Sequence, residues 1–392
     1  MIYAEKLSKM IQCETISVPD VPNTDKFDKF HTLLEELFPL VFSKGEVHYI
    51  DSSILIKWCG KGKAEPILLM SHQDVVPAEG EWKYPPFSGE IKEDRVWGRG
   101  TVDTKGSLMC IFQSIEELME EGYAPEGDVY IASSSTEQVA GTGAPKTVEW
   151  LKEHNVRLQF LMDEGGMIVD EPMAGVKGRY AMIGTMEKGT GNIKVIARST
   201  GGHASAPEKN TPIARLSAFI NDIETKNPNK LEFTSTVLEM FKRLGPQAKG
   251  VLGFAMRHAK LLSPILKKVL PAVSAKGAAM LRTTMAWTMY SGSSARNVIP
   301  ESAWVNINTR FIIHQGIDET KKILQPYLDK YNLEAEYINC HEPQTPVDHN
   351  GKAFKTVEET VKEIYPGVIP SPYVMTGGTD AYYYAPVTDN AI

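Results

Sequence analysis

Two hydrophobic rhythms alternate along the first half of the chain. In KFDKFHTLLEELFPLVF, Phe27, Phe30, Leu34, Leu37 and Phe38 recur at the three-to-four-residue spacing that gives a helix one apolar side. PILLMSH is instead a short unbroken apolar run, as a strand covered on both faces requires. GSLMCIFQSIEELMEEG returns to helical spacing through Leu108, Ile111, Phe112, Ile115 and Met119, and Gly122 ends it. DVYIASSS and LQFLMDEGG read as two further apolar strands, with the helix-like APKTVEWLKEHN between them. Strand–helix–strand alternation predicts an α/β domain with a mostly parallel sheet and helices on both faces.

The pattern changes near Lys188. NIKVIARST and SAWVNINTRFII alternate apolar and polar residues, the mark of strands with one wet face. Between them, residues from about Lys226 to Arg282 are rich in helix formers and interrupted by Pro246, Pro264 and Pro271. The helical AFKTVEETVKEIY and strand-like SPYVMTGGTDA then restore the first pattern. The expected organisation is a discontinuous α/β domain, residues 1–187 and 342–392, with an α+β domain, residues 188–341, inserted into it.

Length supports two cores, since 392 residues exceed what one ordinary core organises. The apolar fraction of 42% and charged fraction of 23% are those of a water-soluble globular chain. A net charge of −7 argues against nucleic acid as a partner, because phosphate binding needs a basic face. No apolar run is long enough to span a bilayer, and Glu5, Lys6 and Lys9 interrupt the N-terminal MIYAEKLSKMIQCETIS, so no membrane partner and a cytoplasmic location are expected. Cys13, Cys59, Cys110 and Cys340 are far apart and show no paired metal spacing; they read as reduced thiols.

Polar residues gather where the predicted strands end. PILLM leads into Ser71-His72-Gln73-Asp74, DVYIASSS into Thr136-Glu137-Gln138, and LQFLM into Asp163-Glu164; the glycine-flanked loop GRGTVDTKG carries Asp103 just before a helix. Singly, each has an ordinary explanation: a helix cap for Asp103, a turn for Asp163, a solvated carboxylate for Glu137. Together they bring imidazole and carboxylates to the carboxyl edge of one sheet, where ligands of open α/β sheets bind. Those groups are the usual nitrogen and oxygen ligands of zinc.

The strings LLMSHQDVVP, FSGEI…VWGRGTVDTKG, TEQVAGTGA, LMDEGG, GGHASAP, NVIP and GGTDA resemble the zinc metallopeptidase family of carboxypeptidase S, bacterial glutamate carboxypeptidase and the aminoacylases. AAMLRTTMAWTMYSGSSARNVIP points to the carboxypeptidase S and N-acyl-amino-acid hydrolase branch. The resemblance runs nearly end to end. It implies two zinc ions in the α/β domain, with manganese or cobalt as substitutes in vitro, and an inserted lid domain that forms a homodimer. It makes His72 and Asp163 ligands of one metal and Asp103 a bridge between both. Asp74 orients His72, and Glu137 is the general base that moves a proton from water to the leaving amine. His203 matches a lid histidine that stabilises the oxyanion in the partner subunit's site. Asn297, Arg310 and Gly378 match substrate-contacting positions; an arginine fork suits a carboxylate.

Two departures fall on the second metal. The family's second glutamate is Gln138 here, a neutral and poorer zinc ligand. The family's remaining histidine ligand lies in a C-terminal segment, and this chain ends at APVTDNAI before any such segment, without the last family strand and closing helix. No remaining histidine is an obvious substitute; His341 and His349 lie near the return to the first domain. The expectation is therefore one firm metal site and a second that is weak or lost. The expected activity is metal-dependent hydrolysis of the amide bond of short peptides or N-acyl amino acids bearing a free carboxylate. The alternative is a catalytically impaired or silent dimer that binds such ligands.

Overall fold

The computed structural model describes residues 2–19, 21 and 24–392. Contacts group the chain into two compact units, residues 1–165 with 350–356 and 379–392, and residues 166–349 with 357–378.

The first unit contains α1 (Tyr3–Gln12), α2 (Thr24–Leu37), α3 (Pro39–Lys44), β1 (Glu46–Ile50), β2 (Ser53–Trp58), β3 (Ile67–Met70), β4 (Glu90–Lys92), β5 (Arg95–Trp97), α4 (Lys105–Glu120), β6 (Val129–Ser133), α5 (Gly143–Glu153) and β7 (Phe160–Met162). Its sheet has the order β1-β2-β6-β3-β7. The β3 ladders to β6 and β7 are parallel, and β1 and β2 add an antiparallel edge. The polar residues picked out in the sequence follow the parallel strands. Asn390 to Ile392 run beside β7: Asn390 and Ile392 accept from the Leu161 and Asp163 amides, and the Leu161–Ala391 bridge is parallel.

Period-two alternation divides the strands between two cores. Ile54, Ile56, Val129 and Ile131 pack with α1 to α4. Leu55, Tyr130 and Ala132 pack with α5 and with Ala381, Tyr384, Val387 and Ala391 on the other face. Each fully buried Leu, Ile or Phe adds about 1.5–3 kcal/mol, so the apolar runs are held flat between helical layers. The expected stripe of α4 is buried through Leu108, Phe112, Ile115 and Met119.

The second unit begins with β8 (Met167–Asp170), β9 (Arg179–Glu187), β10 (Gly189–Arg198), β11 (Gly202–His203), α6 (Pro212–Lys226), α7 (Ser235–Leu244), α8 (Gly250–Arg257), α9 (Ala259–Val273) and α10 (Ala275–Ala279). It continues through β12 (Thr284–Ser291), β13 (Val298–Ile299), β14 (Ser302–Phe311), α11 (Ile317–Tyr331) and β15 (Glu334–Ile338); α12 (Lys352–Ile364) and β16 (Ile369–Met375) follow. An antiparallel sheet of order β12-β14-β10-β15 buries Ile193, Val195, Val305 and Ile307 under α6 and α11. A second sheet, β16-β9-β8, packs with α7 to α9. Pro370 and Pro372 lie in β16, at its edge, where a missing N–H is tolerated. These contacts put β8, β9 and β16 in the second unit, whereas the change of hydrophobic pattern fell at Lys188.

Candidate metal centre

His72 follows β3, and its place is set by backbone pairing: Ser71 N–H donates to Ala132 O (3.2 Å) and Gln73 N–H to Ser134 O (2.8 Å). Thr104 Oγ1 donates to His72 O (3.0 Å), and Ser71 Oγ donates to Thr104 O (2.9 Å), joining the strand end to the loop that presents Asp103. Gly100 permits that loop, with φ +88° and a Cβ position 2.8 Å from Val75 Cγ1.

Asp74 is fully buried and organises its surroundings. Its Oδ1 accepts from Glu137 N–H (3.1 Å), and its Oδ2 accepts from Gln138 N–H (3.0 Å) and Ser17 Oγ (2.6 Å). His72 Nδ1 faces Asp74 O at 2.9 Å and Asp74 Oδ1 at 3.3 Å. One carboxylate thus fixes the imidazole and the single helical turn that carries Glu137. This is the placement expected of an orienting acid.

The other imidazole nitrogen points into an acidic cluster. His72 Nε2 lies 2.9 Å from Asp103 Oδ1, 3.5 Å from Glu164 Oε1 and 3.6 Å from Glu137 Oε2. Gln138 Nε2 is 3.4 Å from the same nitrogen and donates to Asp103 Oδ1 at 3.0 Å. Asp163 is arranged differently. Its carboxyl is buried, bonded to the Thr379 side chain and the Ala381 backbone, and its Oδ2 has no hydrogen-bond partner. Glu164, one residue on, supplies the carboxylate that faces His72. Asp380, absent from the residues singled out in the sequence, is buried nearby, bonds to Ser134, and also has an unpartnered Oδ2.

Electrostatics follow from burying several acids around one base. Burial, reinforced by Asp380, Glu164 and Asp74, pushes the Glu137 carboxyl up to about 8. Burial and neighbouring acids raise Glu164 and Asp380 to about 7 each, and burial raises Asp163 to about 6. His72 is pulled down by burial, but its bonds to Asp103 and Asp74 prevail and hold it well above the usual histidine range. Among the described residues, ligand atoms of His72, Glu137 and Glu164 all lie within 4.8 Å of one another. This donor set fits a divalent cation: imidazole plus carboxylates, an excess of buried negative charge, and two orphaned carboxylate oxygens.

The remaining predicted residues lie in the second unit and are described within it. His203 is exposed on β11; its Nδ1 meets Ser205 Oγ at 2.8 Å. Asn297 is its neighbour, since Ala204 N–H donates to Asn297 O (2.9 Å) and His203 pairs with Val298. Arg310 on β14 pairs with Thr190 of β10, and its Nη1 would lie 3.6 Å from a Cβ at Gly378. The structure thus groups His203 with Asn297, and Arg310 with Gly378. His341 and His349 also belong to this unit; His349 Nε2 is 3.9 Å from Glu239 Oε2.

The sequence matches Peptidase family M20/M25/M40 over residues 68–392. The chain belongs to this family. It is 31% identical to the N-fatty-acyl-amino acid synthase/hydrolase PM20D1 of Xenopus tropicalis, across 98% of this chain and 77% of that protein. It is 30% identical to the probable carboxypeptidase S-like 2 of Dictyostelium discoideum, across 99% and 76%. Among solved structures, an M20 family metallo-carboxypeptidase of Sulfolobus solfataricus superposes with a TM-score of 0.71 at 19% identity, covering 100% of this chain and 90% of that one. The protein is a hydrolytic enzyme of the metallopeptidase and amidohydrolase class, with a catalytic α/β domain and a dimerisation-type second domain.

Proposed function

We propose that this enzyme hydrolyses the amide bond of N-acyl amino acids or short peptides that carry a free carboxylate, with Glu137 as general base. The supporting observation is the arrangement around Asp74. One buried acid holds the His72 ring on one side and the Glu137 backbone on the other, leaving the Glu137 carboxylate 3.6 Å from His72 Nε2.

His72, Asp103 and Glu164 are the proposed ligands of one divalent cation, zinc by donor type. Asp163 backs them from its pocket beside Thr379 and is the alternative third ligand. When bound, the cation supplies Lewis acidity to the scissile carbonyl and neutralises the carboxylate cluster. Glu137 accepts a proton from the attacking water, and the same carboxyl returns it to the departing amine as the C–N bond breaks, so acid and amine products balance. Arg310, whose Nη1 would lie 3.6 Å from a Cβ at Gly378, is the proposed fork for the substrate carboxylate. The names of the relatives, an N-fatty-acyl-amino acid hydrolase and a carboxypeptidase S-like protein, support this substrate class.

Homodimerisation is proposed through β12, the edge strand of its sheet, which presents Met289 and Tyr290, the latter 87% exposed. Dimerisation would bring His203 to a partner's site as oxyanion donor. A cytoplasmic setting is supported by the four free thiols.

The test is hydrolysis of a panel of N-acyl amino acids and dipeptides with added zinc, manganese or cobalt. Glu137→Gln should lower turnover about 10²–10⁴-fold and leave metal stoichiometry unchanged. Equal turnover in wild type and variant refutes the assignment. A second reading, an impaired enzyme, is favoured by Gln138, whose amide occupies Asp103 Oδ1 in place of a second carboxylate. It predicts little turnover with any metal until Gln138→Glu is introduced, along with a gain in metal stoichiometry.

A further inference from the structure

The segment between Glu239 and Glu301 has an unusual charge. It holds ten lysines and arginines, from Lys242 to Arg296, and no aspartate or glutamate, although the whole chain carries −7. Its middle forms α8 and α9, two successive helices with apolar residues on more than one side. Leu262, Leu266 and Leu270 are half-buried, and Leu266 and Leu270 pack toward Met240, Phe241 and Met256. Leu261 (78% exposed), Ile265, Val269 and Val273 (70% exposed) recur every fourth residue along a neighbouring, outward stripe. Val251 (86% exposed) and Phe254 of α8 are also exposed. Lys260, Lys268 and Lys276 are exposed along the same helical stretch, and none is ion-paired among the described residues.

A helix that is apolar outside as well as inside is ordinarily covered. We propose that the outward face of α8 and α9 docks on the surface of an anionic lipid bilayer. The charge pattern selects this occupant. A second copy docked face to face would set this acid-free basic segment against itself, an unfavourable juxtaposition in an isologous contact. An anionic lipid surface complements it: aliphatic side chains enter the acyl boundary while lysines extend to the headgroups. No helix among the described residues is long and apolar enough to cross a membrane. Lying on a bilayer is a separate physical state that needs no such helix. The inference does not depend on the reaction proposed above.

The test is flotation of the purified full chain with vesicles of phosphatidylglycerol in phosphatidylcholine, against phosphatidylcholine alone. The chain should float with the anionic vesicles and be released by salt. Lys260→Glu with Lys268→Glu should lower partitioning at least about fivefold per lysine. Leu261→Ser with Ile265→Ser should abolish it at any ionic strength. Both pairs are exposed, and unchanged thermal melting confirms that the variants fold. Absence of flotation with anionic vesicles, or variants that float like wild type, overturns the proposal. So does a sedimentation shift showing self-association that Leu261→Ser removes while vesicles remain unbound.

Discussion

Replacing Asp74 by asparagine keeps the shape of the buried side chain and removes one acceptor. The two carboxylate oxygens now take three donors: the Glu137 and Gln138 amides and the Ser17 hydroxyl. If the new NH₂ takes the Oδ2 position, Ser17 can rotate to accept, but the Gln138 N–H then meets another donor. If it takes the Oδ1 position, the Glu137 N–H does. At least one hydrogen bond to a charged acceptor is lost, about 1.5–3 kcal/mol. One effect opposes this loss. Asp74 is among the charges that raise Glu137 and Asp380, so its neutralisation relieves some repulsion. Burial is the larger cause for both groups, so the relief is the smaller quantity and the variant should lose about 2 kcal/mol in urea unfolding. His72 Nδ1 also loses its charged neighbour at 3.3 Å, which should cost 10- to 100-fold in metal affinity. Denaturant titration of metal-free protein and competitive zinc titration measure the two separately. Stability within about 0.5 kcal/mol of wild type, with unchanged zinc affinity, would refute the role given to Asp74.

The metal-free protein should lose stability as pH rises from about 5 to about 8. Glu137, Glu164, Asp380 and Asp163 ionise at about 8, 7, 7 and 6 when folded but near 4 when unfolded, so the native state holds more protons across that window. His72, raised when folded, has the same sign, contributing stability at low pH that is lost as pH rises. Added zinc should flatten the slope, and thermal melts at several pH values with and without metal check both statements. Phe112→Ala should destabilise by about 3–5 kcal/mol, because Phe112 is fully buried between Phe38 and Phe42 at 5.3 and 5.8 Å; a smaller change in urea unfolding would mean that the core collapses into the space. Arg310→Ala should raise KM for acyl amino acids and leave KM unchanged for amidated analogues that lack the carboxylate.

How legible the molecule was in its sequence depended on whether a feature is local. The α4 stripe and the runs of β3 and β6 could be read because burial on one or both faces imposes its own period. The strand ends pointed to one cluster for the same reason: β3, β6 and β7 are parallel neighbours whose carboxyl ends share an edge, where His72, Glu137 and Glu164 come together. Long-range pairing was not legible. The parallel ladder of β16 with β9 joins segments almost two hundred residues apart, and it draws those strands into the second unit although the hydrophobic pattern changes only at Lys188. Asp163 against Glu164 shows a finer limit. Adjacent residues leaving a strand point in different directions, so a string such as DEGG locates an acid at the site without saying which carboxylate faces His72. Asp380 and Ser17 carried no spacing signal; both act through contacts made only after folding.

The amide at Gln138 is consistent with the charge around it. Five acidic side chains crowd His72 and Asp103, namely Asp74, Glu137, Asp163, Glu164 and Asp380, and four of them are already held above the carboxylate range. A glutamate at 138 in the same position would set an oxygen 3.0 Å from Asp103 Oδ1, where the amide now donates a hydrogen bond. Two carboxylate oxygens at that distance need a cation between them or a shared proton. Glutamate there therefore suits a site holding a second cation, and glutamine suits one that does not. Asp103 then has His72 Nε2 on one side and Gln138 Nε2 on the other, so protein groups alone orient it.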